Sequence, residues 1–243
     1  MDKIYIAMWS GPRNISTALM RSFENRQDTT VLDEPFYAYF LKKTNLNHPG
    51  RKYIISKGEY DWRKVVEKIT GPIPQNKNIW YQKHMAQHNL DGNDISWIRK
   101  FKNCILIRHP RYVIPSYNKK YPLSNKQLLG YSQQLNIIRC LEDKEGVTPP
   151  IFDATDIQKN PSLALKKMCI SIGIRFSEKM LKWPKGKRKS DGVWAKYWYG
   201  NVENSSGFKP FHEKHITFEK GMIALYKECL MEYNDMYEKR VVF

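Results

Sequence analysis

Hydrophobic positions change their period along this chain. From Lys3 to Trp9 (Lys3-Ile-Tyr-Ile-Ala-Met-Trp9) they run almost unbroken, as in a strand covered on both faces. Similar short β-leaning runs occupy residues 29–33, 78–83 and 103–107, with a weaker one at 148–152. Between them the spacing widens to i, i+3, i+4, which predicts helices over 16–25, 62–69, 95–101 and 124–143. Ala18, Leu19, Ser22 and Phe23 mark the buried face of the first, and Ser124 with Gln127 forms a capping-box pair at the start of the last. Two more helices follow at 161–172 and 218–237. In the second of these, Met222, Leu225, Tyr226, Cys229, Leu230 and Tyr233 keep a 3.6 period. Alternating strands and helices predict an α/β fold, a three-layer sandwich with a central parallel sheet. Residues 44–61 and 184–215 read as long loops, which in α/β enzymes often close over a substrate. No repeat or low-complexity linker divides the 243 residues, so one domain over 1–243 is expected.

Composition narrows the class. Apolar content of 41% with seven Trp excludes a disordered chain. No run approaches the roughly 20 apolar residues of a membrane span. The chain enters its first strand at once, which leaves no secretory signal. Cys104, Cys140, Cys169 and Cys229 stand singly on apolar faces without a C-x-x-C pair, and read as reduced core residues. A cytoplasmic enzyme is therefore expected. The net charge of +17 attracts anions, whether a polyphosphorylated nucleotide, an acidic acceptor, nucleic acid or an anionic surface. A lysine-rich solvated surface gives the same number. The densest basic run, 182–189, is broken by Pro184 and Gly186 and reads as a loop. Basic and aromatic residues do not interleave in any RNA-binding pattern, so nucleic acid is not an expected partner.

Candidate chemistry gathers at strand ends. The first strand runs into Ser10-Gly-Pro-Arg-Asn-Ile-Ser-Thr17 and then a helix. That order brings backbone N–H groups and a positive dipole end to one point, which is how proteins hold phosphate. Neither G-x-x-x-x-G-K-[ST] nor G-x-G-x-x-G is present. The 103–107 strand runs into Arg108-His-Pro-Arg-Tyr-Val-Ile-Pro-Ser-Tyr117. Arg108 thus falls at a carboxyl end, where open parallel sheets bind ligands. Ser116, eight residues on, can turn its hydroxyl toward the same anion; a structural salt bridge is the bland alternative for Arg108. A further strand closes with Trp80-Tyr-Gln-Lys-His-Met85, where alternation puts Gln82 and His84 on one face and Lys83 on the other. Leu32-Asp-Glu-Pro-Phe36 ends the second strand with two carboxylates, Asp33 and Glu34. Metal binding is set aside. His212-Glu-Lys-His215 is one residue short of H-E-x-x-H, and His84 with His88 has the spacing but no third ligand. A Ser hydrolase elbow is absent.

Pro12-Arg-Asn-Ile-Ser-Thr17 resembles the phosphosulfate loop of sulfotransferases that use 3′-phosphoadenosine 5′-phosphosulfate (PAPS), departing from it at Asn14 and Ile15. Arg108, Pro110 and Ser116 match the spacing of that family's 3′-phosphate site, with Tyr112 in place of the common Asp. The resemblance implies a P-loop NTPase-like fold of the sulfotransferase type, with PAPS as donor and the bisphosphate PAP as product. It implies nucleotide binding by Arg13, Asn14, Ile15, Ser16, Thr17, Arg108 and Ser116, with Arg188 of the 187–194 segment on the 3′-phosphate. The reaction would be in-line transfer of a sulfuryl group to a hydroxyl or amine of a small-molecule or carbohydrate acceptor. Arg13 would assist the leaving group without a metal. The base would be His84, at the position of the family's Lys-Thr-His with Gln82 in place of the Lys, or else Glu34. Trp194 is core or an adenine neighbour. Two other readings stay open, a P-loop nucleotide kinase or NTPase with an unusual loop, and a catalytically silent nucleotide-binding relative suggested by Ile15 and Gln82.

Overall fold

The computed structural model describes residues 3–213, 215–218 and 220–243, with Lys220 through its backbone alone. Five strands, β1 (Ile4–Ser10), β2 (Thr29–Asp33), β3 (Ile79–Met85), β4 (Lys102–Ile107) and β5 (Ile151–Asp153), form one parallel sheet in the order β2-β3-β1-β4-β5. The strand that opens the chain lies at the centre, which accounts for its unbroken apolar run. β5 begins at Ile151, later than the 148 expected, because Pro149 and Pro150 offer no N–H to a ladder. Pro150 still accepts from the Ile105 N–H at 3.0 Å.

Alternation along the strands builds two cores. Ala7, Trp9, Ile105 and Ile107 face one side, while Ile6, Met8, Cys104, Leu106 and Phe152 face the other. Each fully buried aliphatic chain contributes about 1.5–3 kcal/mol relative to exposure. Eleven α-helical segments cover the sheet among the described residues: α1 (Ser16–Glu24), α2 (Tyr37–Thr44), α3 (Arg51–Lys57), α4 (Trp62–Thr70), α5 (Pro110–Asn118), α6 (Tyr131–Glu145), α7 (Ala154–Lys159), α8 (Pro161–Ile172), α9 (Ala195–Trp198), α10 (Gly200–Glu203) and α11 (Ile223–Glu238). None is long and apolar enough to cross a membrane. Cys104, Cys169 and Cys229 are buried, Cys140 is half-buried, and all four are free thiols.

Five local expectations are corrected. Residues 44–61 are not one loop but hold α3, and 184–215 holds α9 and α10. The helix expected over 124–143 starts at Tyr131 instead, because Gly130 takes φ 79°, and a short 3₁₀ turn, Lys126–Leu129, precedes it. Ser124 therefore caps nothing. Residues 95–101 hold a 3₁₀ turn, Ser96–Lys100, and α11 begins at Ile223 rather than 218.

The sheet's carboxyl edge is held by polar side chains as well as by packing. Gln134 of α6 donates from Nε2 to the carbonyls of Trp9 (3.1 Å) and Leu106 (3.0 Å), closing the ends of β1 and β4. Asn14 donates from Nδ2 to the same Leu106 carbonyl at 2.8 Å and accepts the Ile15 N–H at 3.0 Å. At Gly11 a Cβ would come within 2.4 Å of the Leu129 carbonyl oxygen, so only glycine passes there.

Candidate functional site

The turn after β1 reverses direction at Arg13, which holds a left-handed backbone of φ 55°. α1 then begins with no side chain capping its first turn and no acidic residue within it. The leading N–H groups of α1 have no intrahelical partner and carry the positive end of the helix dipole. Ser16 and Thr17 stand in that turn. Asn14 and Ile15 line a cleft with these two and also serve the fold. Asn14 spends its amide on the Leu106 carbonyl and on the Ile15 N–H, and Ile15 packs against the core beneath α1.

Arg13 and Arg108 line one cleft of about 870 Å³ together with Ser16, Thr17 and Ser116. Arg13 donates from Nε to Ser116 Oγ at 3.0 Å, and Arg108 donates from Nη1 to the Arg13 carbonyl at 2.8 Å. Among the described residues neither guanidinium has a carboxylate within salt-bridge distance. Arg108 Nε is buried without any partner. Burial lowers the pKa of both groups, opposed at Arg108 by the charge of Asp153, which lies beyond salt-bridge distance. Two mostly buried cations without a salt-bridge partner among the described residues, beside an uncapped helix start, have the chemistry that suits an anion.

A second cluster lies at the ends of β2 and β3. Strand register puts Asp33 level with Lys83. Lys83 Nζ reaches Asp33 Oδ1 at 3.0 Å, Glu34 Oε1 at 2.6 Å and the Tyr199 hydroxyl at 2.6 Å. Tyr199 donates to Asp33 at 2.7 Å, accepts from Trp194 Nε1 at 3.2 Å, and so ties the 194–199 segment to the sheet. The Gly192 N–H also donates to Asp33 Oδ2, at 3.0 Å. Burial pushes Glu34 above the usual carboxylate range. Lys83 pulls it back, and Asp33 pushes it up again. Burial alone would lower Lys83, but Asp33 and Glu34 together hold it above its ordinary value. Glu34 and Lys83 line the same cleft as Arg13 and Arg108.

Two expected site residues lie elsewhere. Gln82 and His84 do share a face with Lys83 opposite, but the face carrying His84 is the packed one. His84 is 1% exposed, stacks on Trp9 at 4.5 Å between ring centres, and bonds through Nε2 to Gln82 Oε1 at 3.2 Å. Burial drops its pKa to about 3. It does not line the cleft. Arg188 does not either: its Nη2 donates to the Pro184 carbonyl at 3.0 Å and its Nε sits 4.0 Å from Glu24, so it braces its own loop. Trp194 is core, with its indole N–H on Tyr199. Lys83, Tyr37, His48, Gln87 and His88 were not among the expected site residues, and all five line the cleft. For Lys83 a signal existed, because a Lys facing Asp and Glu on a neighbouring strand end marks a buried ion cluster. For the aromatic and imidazole groups none did, since their meeting depends on how α2 and the segment after β3 pack.

The family model described as Sulfotransferase domain matches residues 4–227. Two Arabidopsis thaliana proteins, named branched-chain-amino-acid aminotransferase-like protein 2 and 1, are 38% and 37% identical over 229 residues, 94% of this chain. The chain spans only 40% and 41% of their lengths. Among solved structures, a sulfotransferase domain from the curacin biosynthetic pathway is similar with a TM-score of 0.52 at 17% identity, covering 98% of this chain and 97% of that one. A sulfotransferase domain from the Synechococcus PCC 7002 olefin synthase gives 0.53 at 15% identity, covering 93% and 94%. These likenesses establish the fold.

Proposed function

This chain belongs to the sulfotransferase domain family, and from that premise we propose that it transfers a sulfuryl group from PAPS to an acceptor hydroxyl or amine, releasing PAP. One observation carries the reading. Arg13 and Arg108 share a cleft with the open start of α1, and among the described residues neither has a carboxylate within salt-bridge distance. Salt-bridged arginines would speak for structure; these speak for an anionic ligand with separated charges.

When bound, the donor supplies a sulfuryl group whose transfer builds charge on the bridging phosphate oxygen. Arg13, Ser16, Thr17 and the leading N–H groups of α1 would hold the 5′ end and offset that charge. Arg108 and Ser116 would hold the 3′-phosphate, the group that separates this donor from ATP. Glu34 is the base. It lines the cleft, and burial raises its pKa against the opposing pull of Lys83. Positioning and charge stabilisation do the remaining work, as in phosphoryl transfer.

The test is transfer of labelled sulfate from PAPS to an acceptor panel, run beside Arg108→Ala. The variant loses a charge-assisted pair to a dianionic phosphate, about 1.5–3 kcal/mol, so donor KM rises roughly tenfold to a hundredfold. An unchanged donor KM contradicts the assignment.

A further inference from the structure

Little that the Arg108 side chain touches holds it in place. Nη1 donates to the Arg13 carbonyl and Cζ lies 5.8 Å from the centre of the Tyr112 ring, while Nε is buried without a hydrogen-bond partner. A guanidinium already paired with a carboxylate is poorly available to a phosphate, so one kept free must be set by its backbone and its neighbours. Two tyrosines distant in sequence converge there. Tyr131, at the start of α6 and 3% exposed, donates its hydroxyl to the Arg108 carbonyl at 2.7 Å. Tyr233 of α11, 4% exposed, donates to Asp153 Oδ2 at 3.0 Å, and its ring centre lies 4.9 Å from that of His109, the residue after Arg108. Both rings pack in the core, where Phe fills the same space; the hydroxyls need a separate account. Neither tyrosine lines the cleft, so each can act on a ligand only through Arg108.

Asp153 competes for the same cation. Strand pairing sets it level with Ile107, one residue before Arg108, and its charge acts on the Arg108 guanidinium. It is 1% exposed, yet no cation lies within salt-bridge distance of it among the described residues. Its oxygens are occupied otherwise. Oδ1 caps α7 by accepting the Thr155 N–H at 2.7 Å and the Asp156 N–H at 3.3 Å, and Oδ2 takes the Tyr233 hydroxyl. We propose that Tyr131 and Tyr233 are positioning residues for the Arg108 corner, Tyr131 by fixing its backbone and Tyr233 by holding the Asp153 carboxylate back from its guanidinium. For the identity of the ligand this rests on the donor reading above; for the geometry it does not. Without the Tyr233 hydroxyl, Oδ2 is a buried anionic oxygen in need of a partner. Arg240, the other cation within its field, is already paired with Asp156 at 2.8 Å. Arg108 then turns to Asp153 and is withdrawn from the phosphate. Without the Tyr131 hydroxyl, the turn that follows β4 loses its tie to α6 and the guanidinium loses its aim.

The experiment uses the whole chain. Arginine side-chain NMR comes first and needs no ligand. The buried Arg108 Nε–H should give a slowly exchanging resonance in the wild type, identified by its loss in Arg108→Ala. That resonance should shift or broaden in Tyr131→Phe and in Tyr233→Phe. Calorimetry follows, with adenosine 3′,5′-bisphosphate and with ADP. Both variants should bind the bisphosphate roughly threefold to tenfold more weakly, with ADP affinity held within about twofold. Adding Asp153→Asn to Tyr233→Phe keeps an oxygen to cap α7 and removes the capturing charge, so bisphosphate affinity should return to within about threefold of wild type. Tyr5→Phe is the control. It deletes a similar hydroxyl-to-carbonyl bond, 2.9 Å to Gly71, at the amino end of β1, and should leave both the resonance and the nucleotide preference unchanged even where Tm falls. A wild type that ignores the bisphosphate, while the resonance responds as stated, sinks the donor reading and supports the positioning roles. An Arg108 resonance untouched in both variants overturns them. So do equal losses for the two nucleotides, or a double variant as weak as Tyr233→Phe.

Discussion

Glu34 holds φ 39°, a left-handed conformation uncommon for a non-glycine residue. Its backbone N–H donates to the Lys83 carbonyl at 2.9 Å while its carboxylate takes the Lys83 ammonium, so one neighbour fixes it twice. Strain held in this way is common where a side chain must be aimed. If Glu34 is the base as proposed, Glu34→Gln lowers kcat by about 10²- to 10⁴-fold with bisphosphate affinity unchanged. Because burial raises its pKa, the acid limb of kcat/KM against pH should lie above the usual carboxylate range in the wild type and vanish in Glu34→Gln. His84 supplies the contrast. His84→Phe loses the Gln82 bond and should cost about 1–3 kcal/mol in urea unfolding, yet leave kcat within a few-fold. A hundredfold fall in kcat for a folded His84→Phe would restore His84 as the base. The sequence placed Arg13, Arg108 and Ser116 because spacing from a strand end is local. It missed the cleft face of β3 because alternation says which residues share a face, not which face is open.

Among the elements, the 184–192 segment hangs from α1. Arg21, 1% exposed, pairs with Asp191 at 2.7 Å, and the adjoining Gly192 N–H reaches Asp33. Arg21→Ala strands a buried carboxylate and should destabilise the protein by about 3–5 kcal/mol in urea titration. Limited proteolysis should then cut within 184–192, which the wild type protects; equal resistance would show that the pair is not the anchor. The five strands were legible because each is a short apolar run ending in a turn or a charged residue. The short helices α3, α9 and α10 were not, since they are too brief for a period to register and are held by tertiary contacts. The start of α6 was misjudged because Ser124 and Gln127 satisfy a local pattern that Gly130 interrupts.

For the molecule as a whole, burial of neutral imidazoles sets the acid limit. His84 titrates near 3 and His48 near 4, against 6.5 when exposed. Below pH 6.5 the unfolded chain binds protons that the folded one refuses, so stability falls as pH falls. The slope is at most about 1.4 kcal/mol per pH unit for each group, levelling off below their folded values. Tm measured between pH 7 and 4 should decline accordingly, and a flat profile would contradict burial of these rings. The charge of +17 adds a general pull on anions that salt weakens, whereas on the proposed reading Arg13 and Arg108 discriminate by phosphate position. Melting the wild type and Arg108→Ala with adenosine 3′,5′-bisphosphate, ADP or ATP separates these two effects. The account predicts a large rise in wild-type Tm with the 3′,5′-bisphosphate, little with the others, and loss of that preference in the variant. Equal stabilisation by all three nucleotides, or a preference that survives without Arg108, would contradict it.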